Sequence, residues 1–142
     1  MTEDSIVFND ENAIAKIRNT MFPTFRDGMD VAIARYRRGN IIAGVVYSDY
    51  YRHHSISMFV HSWEKHWLNR DFLFVIFDYP FNQLHVKHIF ASARDHMTPF
   101  EFHIGFRPVA RVEGFYPDAD KVIMRMDRED CRHLNIVPRH LH

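Results

Sequence analysis

Cysteine is nearly missing: Cys131 is the only one in 142 residues. That excludes an internal disulfide framework and fits a reducing compartment. An excess of charge of either sign is missing too, because 18 Lys and Arg balance 18 Asp and Glu. No global field then favours nucleic acid or an anionic membrane. No run approaches the roughly 18 apolar residues of a membrane span. The opening residues, Met1 to Ser5, lack the basic and apolar regions of a signal peptide. A cytoplasmic protein is expected, with neither nucleic acid nor membrane as partner. The chain also has no internal repeat, no linker that would divide it and no Cys-x-x-Cys.

What is present is apolar and aromatic. Apolar residues make up 46% of the chain, too many for disorder, and 13 phenylalanines imply an aromatic-rich core. One domain over residues 1–130 is expected, followed by a polar, His- and Arg-rich tail over 131–142 that is loosely held. The eleven histidines would make the protein basic below about pH 6.

Taken in order, Ser5 to Phe8 reads as an edge strand. Asn9 or Asp10 caps a helix that runs to about Met21 and ends at Pro23. Val31 to Arg37 and Ile41 to Tyr47 form a hairpin around Arg38-Gly39, with Gly44 permitting close approach. In the first of these strands Val31, Ile33 and Arg35 alternate with Ala32, Ala34 and Tyr36. Arg35, Arg37 and Arg38 read as a solvated basic patch at the strand end. Ser55 to Val60 adds a third antiparallel strand. A loop from His61 to Leu68 leads to a helix from Asn69 to Leu84, which Pro80 should kink. Lys87 to Ala93 is a strand, and a short helix from Thr98 to His103, capped by Asp95, stops at Gly105. Phe106 to Val112 and Lys121 to Met126 complete a mixed α+β order, unlike the alternation of a doubly wound fold.

Three features of this order are similar to a known family. Ile104-Gly105-Phe106 precedes Val112-Glu113-Gly114. Asp120 leads a closing strand that ends at Met126. Trp67-Leu68, Phe72-Leu73, Tyr79-Pro80-Phe81 and Gln83-Leu84 follow one another at set intervals. Together they resemble the GCN5-related N-acetyltransferase (GNAT) superfamily, in particular a subgroup common in bacteriophage and prophage genomes. The resemblance implies a mainly antiparallel sheet of six or seven strands flanked by helices, with two central strands splayed from about Val60. It also implies acetyl-CoA as cofactor and an amine-bearing small molecule or protein as acceptor, with a homodimer as one assembly. The pantetheine arm would lie along Met58, Phe59 and Val60, opposite a wall from Ile89 to Ser92. The pyrophosphate would sit at the helix start, among Lys65, His66, Trp67, Leu68, Asn69 and Arg70.

The match departs at definite places. Leu68 and Arg70 replace the loop's two glycines, which leaves a degenerate pyrophosphate loop. The family's asparagine falls on Arg94 and its tyrosine acid on Glu101. A carboxylate there needs desolvation to keep a proton at neutral pH. His61 and Glu64 are the candidate bases, and Glu101 and Tyr116 the candidate acids. His53-His54 and His85-x-x-His88 lack a third metal ligand, so no metal is expected. Two functions follow from the resemblance and its departures. One is acetyl transfer from acetyl-CoA to a primary amine by direct attack in a ternary complex. The other is a catalytically inactive scaffold serving as a phage accessory or virion-associated binding protein.

Overall fold

A computed structural model describes residues 4–20 and 25–139. Seven strands form one sheet: β1 (Asp4–Phe8), β2 (Val31–Arg37), β3 (Asn40–Tyr51), β4 (Ser55–Ser62), β5 (His88–Arg94), β6 (Arg107–Tyr116) and β7 (Ala119–Asp127). Their spatial order is β1-β2-β3-β4-β5-β7-β6, and among the described residues only the β4–β5 pair is parallel. Among the described residues three α-helices flank the sheet: α1 (Glu11–Thr20), α2 (Arg70–Asp78) and α3 (Pro99–Ile104).

Local chemistry accounts for the first half. Asp10 Oδ2 accepts from the Ala13 amide at 3.0 Å and starts α1. The helix end expected at Pro23 lies outside the described residues. Arg38 and Gly39 both adopt positive φ, 54° and 82°, which fits the right-handed twist of the β2–β3 hairpin. An added Cβ on Gly44 would meet Ile17 Cδ1 at 3.3 Å and Trp63 at 3.4 Å, so α1 packs against bare backbone there. Buried Ile17, Phe25, Ala32 and Val46 fill that side of the sheet. The larger core lies on the other side, where Phe72, Ile76 and Phe77 of α2 meet Val45, Ile56, Met58, Ile89 and Met124.

The kink expected at Pro80 takes a definite form. The α-helix stops at Asp78, and Tyr79–Gln83 continue as one π-helical turn in which Leu84 N–H donates to Tyr79 O at 3.0 Å. Proline has no N–H to offer the Ile76 carbonyl. The fully buried Tyr47 hydroxyl donates to it instead, at 2.5 Å. Tyr47→Phe should therefore cost about 1–3 kcal/mol, the penalty for a buried carbonyl left unpaired, although only one oxygen is removed. Denaturant unfolding would measure this, and an unchanged midpoint would contradict the assignment.

Three sequence expectations need correction. Asp95 does not cap α3: it opens a separate single turn (Asp95–Met97) and accepts from Arg111 at 2.8 Å. Residues 131–139 are docked, not loosely held. Cys131 and His133 are buried, the His133 ring stacks on Phe77 at 4.9 Å, and its Nε2 lies 2.6 Å from Ile104 O. The Arg139 amide donates to Asp71 at 2.8 Å. Finally, Arg35 is buried, not solvated. It donates to Trp67 O and pairs with Asp4 at 3.1 Å, while Arg37 donates to His66 O at 3.0 Å and Lys65 O at 3.3 Å. These two arginines strap the 64–67 loop to β2.

Candidate active site

The sheet opens at the parallel pair β4–β5. β4 and β5 are in register at Ser55–His88, Ile56–Ile89 and Ser57–Phe90, and then separate. The split comes three residues before Val60, the position the sequence suggested. Beyond it, β4 still pairs with β3 as far as Ser62, and β5 pairs with β7 as far as Arg94. The facing edges, Met58–Ser62 and Ala91–Arg94, therefore carry backbone groups with no strand partner, a costly state unless a ligand or water satisfies them.

A cavity of about 250 Å³ fills the gap. Met58, Phe59 and Val60 line one side, and Ala91, Ser92, Ala93 and Arg94 line the other. Met97, Phe100, Glu101 and Ile104 close it along one face of α3 and the turn before it. Thr20, His61, Phe106 and Tyr116 complete the wall.

Two titratable groups stand on opposite sides of the opening. His61 is opposite Gly44 in the ladder, which places it on the α1 face, with its ring 5.0 Å from that of Trp63. Burial lowers its pKa, so it stays neutral at physiological pH. Glu101 comes from α3 on the other face. Burial pushes its carboxyl up, with the helix backbone acting in the opposite sense. Its Oε2 is buried and has no hydrogen-bond partner among the described residues. Burial favours the uncharged form of each group, an imidazole able to accept a proton and a carboxylic acid able to give one. The Arg94 guanidinium lies 4.3 Å from the Tyr116 ring centroid and 3.3 Å from Asp118, so Tyr116 is held at the rim.

The rest of the sequence-derived set lies elsewhere. Glu64 is outside the cavity and pairs with Arg37 at 3.3 Å. Lys65, His66, Leu68, Asn69 and Arg70 are not part of the cavity wall. Asn69 caps α2, its side chain accepting from Phe72 N–H at 2.8 Å. Leu68 packs on the core. Trp67 reaches the site indirectly, with its ring 5.2 Å from Phe100. Lys65, His66 and Arg70 are exposed. Sequence reasoning missed Met97, Phe100 and Ile104. Their signal was spacing: with Glu101 they recur at three and four residues, the period of one helix face.

No family model and no curated protein matches the sequence. Solved structures do match in shape. Spermidine/spermine N-acetyltransferase SpeG from Vibrio cholerae is 16% identical with a TM-score of 0.72, over 94% of this chain and 96% of that one. N-acetyltransferase PseH from Campylobacter jejuni is 12% identical with a TM-score of 0.62, over 89% and 99%. A GNAT-family acetyltransferase from Bacillus anthracis is 14% identical with a TM-score of 0.55, over 71% and 67%. This chain has the GNAT fold. The GNAT fold accounts for the strand order and for the parallel pair that opens. The SpeG enzyme also occurs as a dodecamer. Among the described residues of this GNAT fold no helix is long and apolar enough to cross a membrane. Nor do those residues group three or more His, Cys, Asp or Glu to hold a metal ion.

Proposed function

We propose that this protein transfers an acetyl group from acetyl-CoA to a primary amine within a ternary complex. One observation carries the reading: two unpaired strand edges border a cavity that has a neutral histidine at one face and an orphaned, desolvated carboxyl at the other.

The residues present fit the thioester arm. Met58–Val60 and Ala91–Arg94 offer free backbone donors and acceptors to an amide-bearing chain. The phosphates fit less closely to backbone, since Asn69 already occupies the Phe72 amide at the start of α2. The exposed side chains of Lys65, His66 and Arg70 are left to hold them by charge. Acetyl-CoA, when bound, supplies the acetyl group as a thioester. His61 takes one proton from the acceptor nitrogen as that nitrogen gains the acetyl group. Glu101 gives one proton to the departing sulfur. Solvent then restores both groups. General acid and base steps of this kind contribute about 10²–10⁴-fold.

The test is release of free thiol from acetyl-CoA with a panel of amines, for wild type and His61→Ala. Amine-dependent release that falls at least tenfold in His61→Ala supports the reading. The capped helix start and the strapped loop favour a second one, a GNAT-fold accessory or virion-associated binding protein without catalysis. Acetyl-CoA binding with no thiol release would select it.

A further inference from the structure

A second cavity, about 170 Å³, lies on the α1 face of the sheet, next to the last β4–β5 pair. It shares Phe59, Ala91 and Ser92 with the main cavity, so the two adjoin through the gap in the sheet. Phe59, Phe90 and Ile123 give it an apolar floor, and Ser57 and Ser92 present two hydroxyls. Neither hydroxyl has a hydrogen-bond partner among the described residues.

Two charged residues line this cavity, Asp49 and Lys121. They are not equivalent. Asp49 already has a cation, Arg26, at 3.5 Å. Lys121 makes no ion pair among the described residues, and its ammonium rests 4.3 Å from the Phe115 ring centroid. The nearby acids are engaged elsewhere: Asp120 with Arg111 at 2.8 Å and Asp118 with Arg94 at 3.3 Å. An unpaired ammonium over an aromatic face, beside an apolar floor, is a site for an anion. It repels a second ammonium, which is how a site rejects a polycation.

Resting on the acetyl-transfer reading, we infer that the acceptor is a small amine that also carries a carboxylate, of amino-acid size, and that Lys121 selects it. Its amine lies toward the wall shared by Phe59 and Ser92, on the face that holds His61. Its carboxylate lies toward Lys121. Lys121 is two residues from Ile123, which pairs with Ser92, a separation of about 7 Å along a strand. A lysine side chain and a compact acceptor span that distance together. A polyamine of the kind named for the SpeG enzyme places a second cation where this site already has one.

The experiment is calorimetric binding to the CoA-bound protein, which does not depend on turnover. Phenylalanine is compared with its carboxamide and with spermidine, in wild type and in Lys121→Met. Wild type should bind phenylalanine at least tenfold more tightly than the carboxamide or spermidine. Lys121→Met should remove that ratio, with CoA affinity and melting temperature unchanged. Equal or tighter binding of the carboxamide or spermidine by wild type overturns the inference, as does an unchanged ratio in Lys121→Met. Preferential carboxylate binding without thiol release would keep the carboxylate site at Lys121 but remove the acetyl-transfer reading and, with it, the ligand's role as acceptor.

Discussion

Glu101→Gln is expected to lower kcat by about two to three orders of magnitude without loss of fold. Glutamine keeps the shape of the side chain but has no proton to give a departing thiolate. The structural cost should be small, because Glu101 Oε2 has no hydrogen-bond partner among the described residues to lose. Stability should move the other way. Burial raises the Glu101 pKa in the folded state, so its share of stability is full below the unfolded glutamate value, about 4.3. That share is lost as pH rises through the folded value. Removing the carboxyl removes this loss, and the variant should melt at or above wild type at pH 7. Glu101→Tyr restores an O–H donor of higher pKa. It should recover part of kcat and move the basic limb of the pH profile upward. Wild-type kcat in Glu101→Gln would exclude the carboxyl as the acid.

Asp127→Ala has the largest expected effect on stability. The Asp127 side chain is 10% exposed. It accepts from Arg125 at 2.6 Å, Arg107 at 3.1 Å and His88 Nδ1 at 2.6 Å, which ties together the ends of β5, β7 and β6. Breaking a buried charge pair costs about 3–5 kcal/mol when the remaining charge stays buried. Here the cations are partly exposed and can hydrate, so about 2–3 kcal/mol is expected. That is a fall of roughly 6–10 °C in melting temperature for a chain of this length. Arg125 leads in holding the Asp127 pKa far below the usual carboxylate range, with His88 and Arg107 adding to it and burial opposing. A depressed carboxylate stabilises fully above its unfolded pKa, about 3.9, and less as pH falls toward the folded value. The gap between wild type and variant should thus narrow below about pH 4. A gap that is constant with pH would rule out the carboxylate charge as its source.

The fold was legible where local chemistry is sufficient. Arg38-Gly39 marks the hairpin, Asp10 the start of α1, and Gly105 the end of α3, where its φ is 114°. The splayed pair was legible through the resemblance, and with it Met58–His61, Ser92, Arg94, Glu101 and Tyr116 on the cavity wall. What stayed hidden depends on partners distant in the chain. The π turn that contains Pro80 is made tolerable by Tyr47, 29 residues away from the carbonyl it satisfies. Arg35 sits in register with Val31 and Ile33, a sign of burial, but its role emerges only when Trp67 reaches it. The docking of residues 131–139 rests on His133 and Cys131, two residues that look polar in isolation and are buried in context. The helix-start residues 65–70 were placed in the site by analogy with a glycine loop. Asn69 and the two strapping arginines also give that loop a local structural role, which no glycine pattern signals.

Hydrogen exchange with and without acetyl-CoA tests the central claim most directly. The amides of Met58–Ser62 and Ala91–Arg94 that face the gap have no strand partner. They should exchange quickly in the free protein and slow at least tenfold on addition of acetyl-CoA. Amides of β2, paired on both sides by β1 and β3, should not change. Slow exchange at 58–62 in the free protein, or no change there at saturating acetyl-CoA, would contradict an open cleft that receives the thioester.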